Sequence, residues 1–221
     1  MMKSGTLCAL VGAVMVNTSS AETFKSKEEL LIKYAPRFEQ TTKLLEDKGY
    51  DAAPIEAYFA FGNAEVNQKY ISQGSFIHDK GKTYQTYGAF PVSYDELKRW
   101  GPNVGYHPKK EGLSVGAFNA KLKTDTDFNV KMAAIRLSGM TNGNAKDKGM
   151  TYIKNNFLAN PSLTDEEEAY LISYIGNKGT TGLKSNYNRI KSGLYNFANK
   201  QRGPNTRDGI KLARKYTHKR S

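Results

Sequence analysis

Pro54 to Gly101 reads PIEAYFAFGNAEVNQKYISQGSFIHDKGKTYQTYGAFPVSYDELKRWG, and three patterns follow one another within it. The first, from Pro54 to about Tyr70, is helical: Ile55, Tyr58, Phe59, Phe61 and Val66 make it apolar, while Gly62-Asn63 weakens its middle. The second, Ser72 to Phe90, is polar and rich in Gly, Tyr and Thr, which suits a loop or a small hairpin. The third is a capped helix, with Ser93 as N-cap, Glu96 at the capping-box position and Gly101 as the stop. An apolar helix, an irregular polar insertion and a second helix therefore stand in series. Function belongs in the irregular segment, because loops held by a rigid scaffold carry most binding and catalytic groups.

The flanks extend the helical pattern. Upstream, Lys25 to Lys48 carries Leu30, Leu31, Tyr34, Phe38, Leu44 and Leu45 at three- and four-residue steps. Pro36 is expected to break it, with a second helix restarting there. Downstream, Gly101 to Gly116 reads as loop and Asp125 to Leu137 as an amphipathic helix. Gly139 to Gly149 reads as a polar excursion, with the stretch at Asn142 a surface loop, and Thr151 to Leu158 as a short helix. Thr164 with Glu167 caps a helix through Tyr170, Leu171, Ile172, Tyr174 and Ile175. Gly176 to Gly182 is glycine-rich. Tyr187 to Ala198 is a last helix, and 201–221 is expected to be a basic tail, partly helical over Asp208 to Tyr216. The fold class is mainly α, with α+β left open by the insertion.

Charge and composition bound the chemistry. The chain of 221 residues has a formal charge of +12. From Thr180 to Ser221 it holds eleven Lys/Arg against one acid, Asp208, so the C-terminal region is basic and the rest is near neutral. Such a region attracts polyanions: acidic wall polymers, anionic lipid or nucleic acid. Residues 1–21 have the layout of a secretory signal: Lys3, the apolar run Thr6 to Val16, then small residues ending Ser19-Ser20-Ala21. The expected product is a secreted or periplasmic chain starting at Glu22, with a domain over 22–200. The single cysteine, Cys8, leaves with the signal, and His78, His107 and His218 have no metal-ligand spacing. No metal and no cofactor are expected. The chemistry rests on carboxylates, hydroxyls and amides.

The order of segments resembles the lysozyme-like lytic transglycosylases and goose-type lysozymes, over roughly Tyr34 to Gly203. The residues that carry the resemblance are Tyr34-Ala-Pro-Arg-Phe-Glu39 with Lys48-Gly-Tyr-Asp51; Gly88-Ala-Phe-Pro91 before the Ser93 helix; Asp127-Phe-Asn-Val130 with Ala133-Ala-Ile-Arg-Leu137; Ser173-Tyr174-Ile-Gly-Asn177; and Tyr187-Asn-Arg-Ile190 leading to Phe197. The resemblance implies a multi-helix domain that cuts the glycan strands of peptidoglycan. Through it Gly88, Ala89, Tyr174 and Asn177 become candidate glycan contacts.

The departures fall at the acid. Alignment from Asp51 puts Gly62 where the family has its catalytic glutamate, and counting back from Gly88 reaches Gln73; neither can donate a proton. Glu65, nearly one turn beyond Gly62, is the candidate general acid. Asp79 is the candidate second carboxylate, and Gln73 is kept as a substrate contact. Pro91 replaces the family's sugar-contacting glutamine. Tyr84 and Tyr87, with Tyr94 and Tyr106, offer flat rings to sugar faces. Two alternatives stand beside the enzyme: a non-catalytic relative that binds wall glycan or a partner, and an exported or virion-associated nucleic-acid binder, for which no recognition motif is present.

Overall fold

The computed structural model describes residues 23–66, 77–79, 85–143, 163–172 and 194–220. Within them the chain is mainly helical, with a single two-stranded hairpin. Helix α1 is Lys27–Glu46 and α2 is Ile55–Glu65. Strands β1 (Ile77–Asp79) and β2 (Gln85–Tyr87) pair antiparallel, with Ile77 opposite Tyr87, His78 opposite Thr86 and Asp79 opposite Gln85. Helix α3 is Tyr94–Trp100, followed by 3-10 turns at Gly101–Val104 and Pro108–Glu111. Then come α4 (Val115–Thr124), α5 (Thr126–Thr141), a helix over 165–172 (α6) and α7 (Leu194–His218).

Helix α5 is the axis of the domain. Every residue from Phe128 to Thr141 except Lys131 is buried, so it has almost no solvent face. A helix enclosed on all sides must be surrounded by its neighbours, and α5 packs against α1, α3, α4 and the first 3-10 turn. Its C-terminal end also fixes the α1–α2 connection. Ser138 Oγ accepts from Ala53 N–H (3.0 Å); Asn142 accepts from Asp51 N–H (3.2 Å) and donates to Asp51 C=O (2.5 Å). The polar excursion expected from Gly139 thus begins only after a longer helix, and Asn142 is a structural tie.

Three further expectations change. Pro36 does not restart a helix: α1 runs through it. Proline deletes one N–H in the ladder. Here the ring is exposed, while Leu31, Ala35, Phe38, Thr42 and Leu45 continue one buried face across it, so packing carries the helix through. The loop expected over Gly101 to Gly116 contains two 3-10 turns and the start of α4, whose N-cap Ser114 accepts from Ala117 N–H (3.2 Å). Helix α2 stops at Glu65 rather than near Tyr70, as Val66 turns to φ −58°, ψ 124°. The capping boxes at Ser93/Glu96 and Thr164/Glu167 form as expected. The readings of Thr151 to Leu158 and of Gly176 to Gly182 lie outside the described residues.

The largest correction is at the C-terminus. The basic tail is a stretch of α7, which packs along α2. Its inner face is Thr206, Gly209, Ile210, Ala213 and Tyr216, all buried. Tyr216 meets the Phe59 ring at 5.4 Å, and Asn63 Nδ2 donates to Asn205 C=O (2.6 Å). At Gly209 a Cβ would overlap the Phe59 carbonyl and lie 2.8 Å from Ala60 Cα, so the two backbones touch. The outer cations pair with acids: Arg214 with Glu166, Lys215 with Glu28 (3.2 Å) and Arg220 with Glu39. Among the described residues no helix is long and apolar enough to cross a membrane.

A glycine pair tests this docking. Gly116 in α4 has open space around it, so Gly116→Ala should stabilise the fold by up to about 1 kcal/mol through helix propensity. Gly209→Ala gains the same propensity but must push the α2 and α7 backbones apart, at about 1–3 kcal/mol, and should be destabilising overall. Chemical denaturation measures both. Stabilisation by Gly209→Ala would show that α7 does not dock on α2.

Candidate functional site

The turn Gly88–Pro91 is held by a buried side chain from α5. Asn129 Oδ1 accepts from Phe90 N–H (2.9 Å), and its Nδ2 donates to Tyr87 C=O and Phe90 C=O (both 3.0 Å). Asn129 is fully buried, so these bonds satisfy groups that water cannot reach. Gly88 is required twice over. Its φ is +84°, and a Cβ there would overlap Asn129 Nδ2 and Leu122 C=O. Asp125, the N-cap of α5, accepts from Phe128 N–H (2.9 Å) and sets the first turn from which Asn129 projects. Tyr87 and Val92 close the turn from outside with a bridge of two backbone bonds.

Phe90 then pins the turn to α2. Its ring stacks on Tyr58 (5.0 Å between centroids) and on Phe61 (6.3 Å). It also covers Gly62, where a Cβ would overlap Leu31 and lie 2.8 Å from the Phe90 ring. Residue 62, which the sequence resemblance would set against a catalytic acid, is therefore closed by the core. No side chain fits at residue 62 unless Leu31 or Phe90 moves.

Glu65, the last residue of α2, is half-buried beside Lys27. Lys27 Nζ donates to Asn63 C=O (3.3 Å). Burial lowers the Lys27 pKa, and the charge of Glu65 acts in the opposite direction. The Lys27 ammonium on α1 and the Glu65 carboxylate at the end of α2 thus feel each other's charge.

The remaining candidates divide plainly. Ala89 is buried within the turn, and Tyr87 lies partly buried at its start, its carbonyl bound by Asn129. Asp79 is at the end of β1, paired in register with Gln85, and its side chain lies outside the described residues. Gln73, Tyr84, Tyr174 and Asn177 also lie outside them. Tyr94 is not a groove ring: it is buried edge-on against Phe118 at 5.3 Å. Tyr106 packs beside Gly101, and burial pushes its phenol well above the usual range. Among the described residues no three potential ligands gather for a metal.

One pair escaped the sequence reading. Arg136 is 3% exposed, lies over the Phe61 ring at 4.9 Å and pairs with Glu96 at 2.8 Å. Its Nε and Nη1 find no acceptor among the described residues. Arg136 stands seven residues after Asn129, on the same face of α5. Glu96 therefore serves both the α3 cap and this buried cation. An arginine inside an otherwise enclosed helix was the only sequence signal for it.

No protein family, no curated protein and no solved structure matches the chain.

The α2 terminus can be checked by titration. Removing the Glu65 charge leaves Lys27 with its burial alone, so Glu65→Gln should lower the Lys27 pKa further, followed by the Lys27 side-chain carbon signals in NMR. An unchanged Lys27 titration would mean that the two groups are not neighbours.

Proposed function

We propose that the chain acts on the glycan strands of peptidoglycan, as a lytic transglycosylase or muramidase with Glu65 as general acid. The observation that carries this reading is the Asn129 contact. Two segments that resemble the family separately, Gly88–Pro91 and Asp127–Leu137, meet through that one side chain. The turn so formed rests on α2, whose last residue is Glu65.

The chemistry follows from what a glycosidic bond requires. The leaving oxygen must be protonated as its bond to the sugar breaks, and a carboxylic acid at the edge of an apolar core is suited to supply that proton. Glu65 sits beside buried Val66 and within about a turn of buried Phe61. In transglycosylation the sugar's own hydroxyl attacks, and Glu65 takes back a proton. In hydrolysis a second carboxylate must activate water or stabilise the ring cation, and Asp79 is assigned to that role. This reading keeps the protein outside the cytoplasm, after removal of residues 1–21.

A second reading is favoured by two specific observations: a lysozyme-like domain that binds wall glycan without cutting it. Gly62 is closed by Leu31 and Phe90, and Glu65 has Lys27 beside it. A neighbouring cation favours a charged carboxylate, whereas a general acid must carry its proton.

One experiment separates the two. Purified walls are treated with the wild-type protein and with Glu65→Gln, following turbidity and soluble fragments. The enzyme reading predicts release by the wild type and a loss of roughly 10²–10⁴-fold in the variant, with wall binding retained. Cleavage undiminished in Glu65→Gln would remove Glu65 from the mechanism. Binding without any release by the wild type would select the non-catalytic reading.

A further inference from the structure

The fold divides the charge in a way that total composition conceals. Three cations at the C-terminal end face acids: Glu166 on α6, and Glu28 and Glu39 on α1, take Arg214, Lys215 and Arg220. Lys211 has Asp208 on its own helix at 3.4 Å. These pairs offset part of the C-terminal charge, while other exposed cations have no such partner among the described residues.

A dense group of such cations lies between Lys98 and Thr124. This block holds six basic residues, Lys98, Arg99, Lys109, Lys110, Lys121 and Lys123, and a single acid, Glu111. Lys98, Arg99, Lys109, Lys110 and Lys121 are exposed. None of the six has an ion-pair partner among the described residues. Glu111 is half-buried, lies 3.9 Å from Lys131, and is next to the Tyr106 phenol. Packing gathers the block, because α3 contacts both the Pro108–Glu111 turn and α4. Asp95, at the start of α3, is the one fully exposed acid on these elements, with Glu96 and Glu111 half-buried.

We infer that the exposed face of α3, the Pro108–Glu111 turn and α4 is a docking surface for an anionic wall polymer of the phosphodiester type. The chemistry of the face argues for that occupant over nucleic acid. Single strands are held by sets of exposed rings on which bases stack, but Tyr94, Trp100 and Phe118 are buried here and Tyr106 is half-buried, which leaves the His107 ring exposed by itself. Arg99 and Lys121 already lie over rings of their own chain, Trp100 and Phe128. What remains is mostly lysine: compact charges on flexible stems, suited to spaced phosphates rather than to planar forks. The choice of a wall polymer rests on the glycan reading above; the basic face itself does not.

The test measures binding of the full chain to soluble poly(glycerol phosphate) and to a DNA duplex of similar charge, across a salt series. Wild type should bind the wall polymer at low salt and lose it steeply as salt rises. Lys109→Glu with Lys110→Glu should weaken this about tenfold and flatten the salt dependence by roughly two cation contacts. Lys211→Glu with Lys219→Glu, on and just beyond α7, should change it less than about twofold. All four side chains are exposed, so both variants should fold, and amide exchange checks that they do. No binding by wild type, an equal loss in the Lys211/Lys219 variant, or tighter binding to the duplex would each overturn the inference. The assay involves no glycan cleavage: binding without cleavage leaves this surface standing, and cleavage without binding leaves the glycan reading standing.

Discussion

Asn129 is the side chain on which the rest of the arrangement depends. One amide, buried in the central helix, satisfies three backbone groups of the Gly88–Pro91 turn and its entry. Each such bond contributes only about 1 kcal/mol net, but an orphaned buried donor or acceptor costs about 1–3 kcal/mol. The turn therefore has one low-energy placement, above α5 and against α2. From there Phe90 closes the aromatic core of Tyr58 and Phe61 and covers Gly62. The same contact leaves Glu65 as the carboxyl at the helix end and shuts the position that the family resemblance would have given to an acid.

A second constraint runs along α2. Its other side is taken by α7, held by small residues and by a ring of ion pairs at the rim. Exposed pairs of this kind add little to stability, because water and salt screen them. Their larger effect is on the distribution of charge, since they offset three cations at the C-terminal end, whereas the cations of the α3–α4 face have no ion-pair partner among the described residues. What the chain presents to a polyanion is set by which cations lack partners in the fold.

Local signals are legible in the sequence and long-range ones are not. The capping boxes at Ser93/Glu96 and Thr164/Glu167 span three residues, so they can be read directly. Helix α4 shows only Phe118 and Leu122 as buried residues among alanines, lysines and Gly116, and its pattern is too sparse to stand out. The inner face of α7 is Thr206, Gly209 and Ala213 with one isoleucine and one tyrosine, so a close-packed helix reads as a polar tail. Pro36 misleads for the converse reason: a local rule is overridden by the buried face on either side of it. At the site, Asn129 carries no sign of its role, because its partners are 39 and 42 residues away. The Arg136–Glu96 pair joins two helices far apart in the chain and is likewise invisible. Glu65 is legible as a helix-end carboxyl, but its lysine neighbour and the closure of Gly62 emerge only from the packing.

Amide hydrogen exchange at Phe90 tests the central contact most directly, in the wild type and in Asn129→Ala. If Asn129 holds the turn, the Phe90 amide exchanges as slowly as the core amides of α5 in the wild type. In the variant, protection should fall across Tyr87 to Val92 while α1 keeps its own. A Phe90 amide that exchanges freely in the wild type, or is equally protected without the Asn129 side chain, would contradict it.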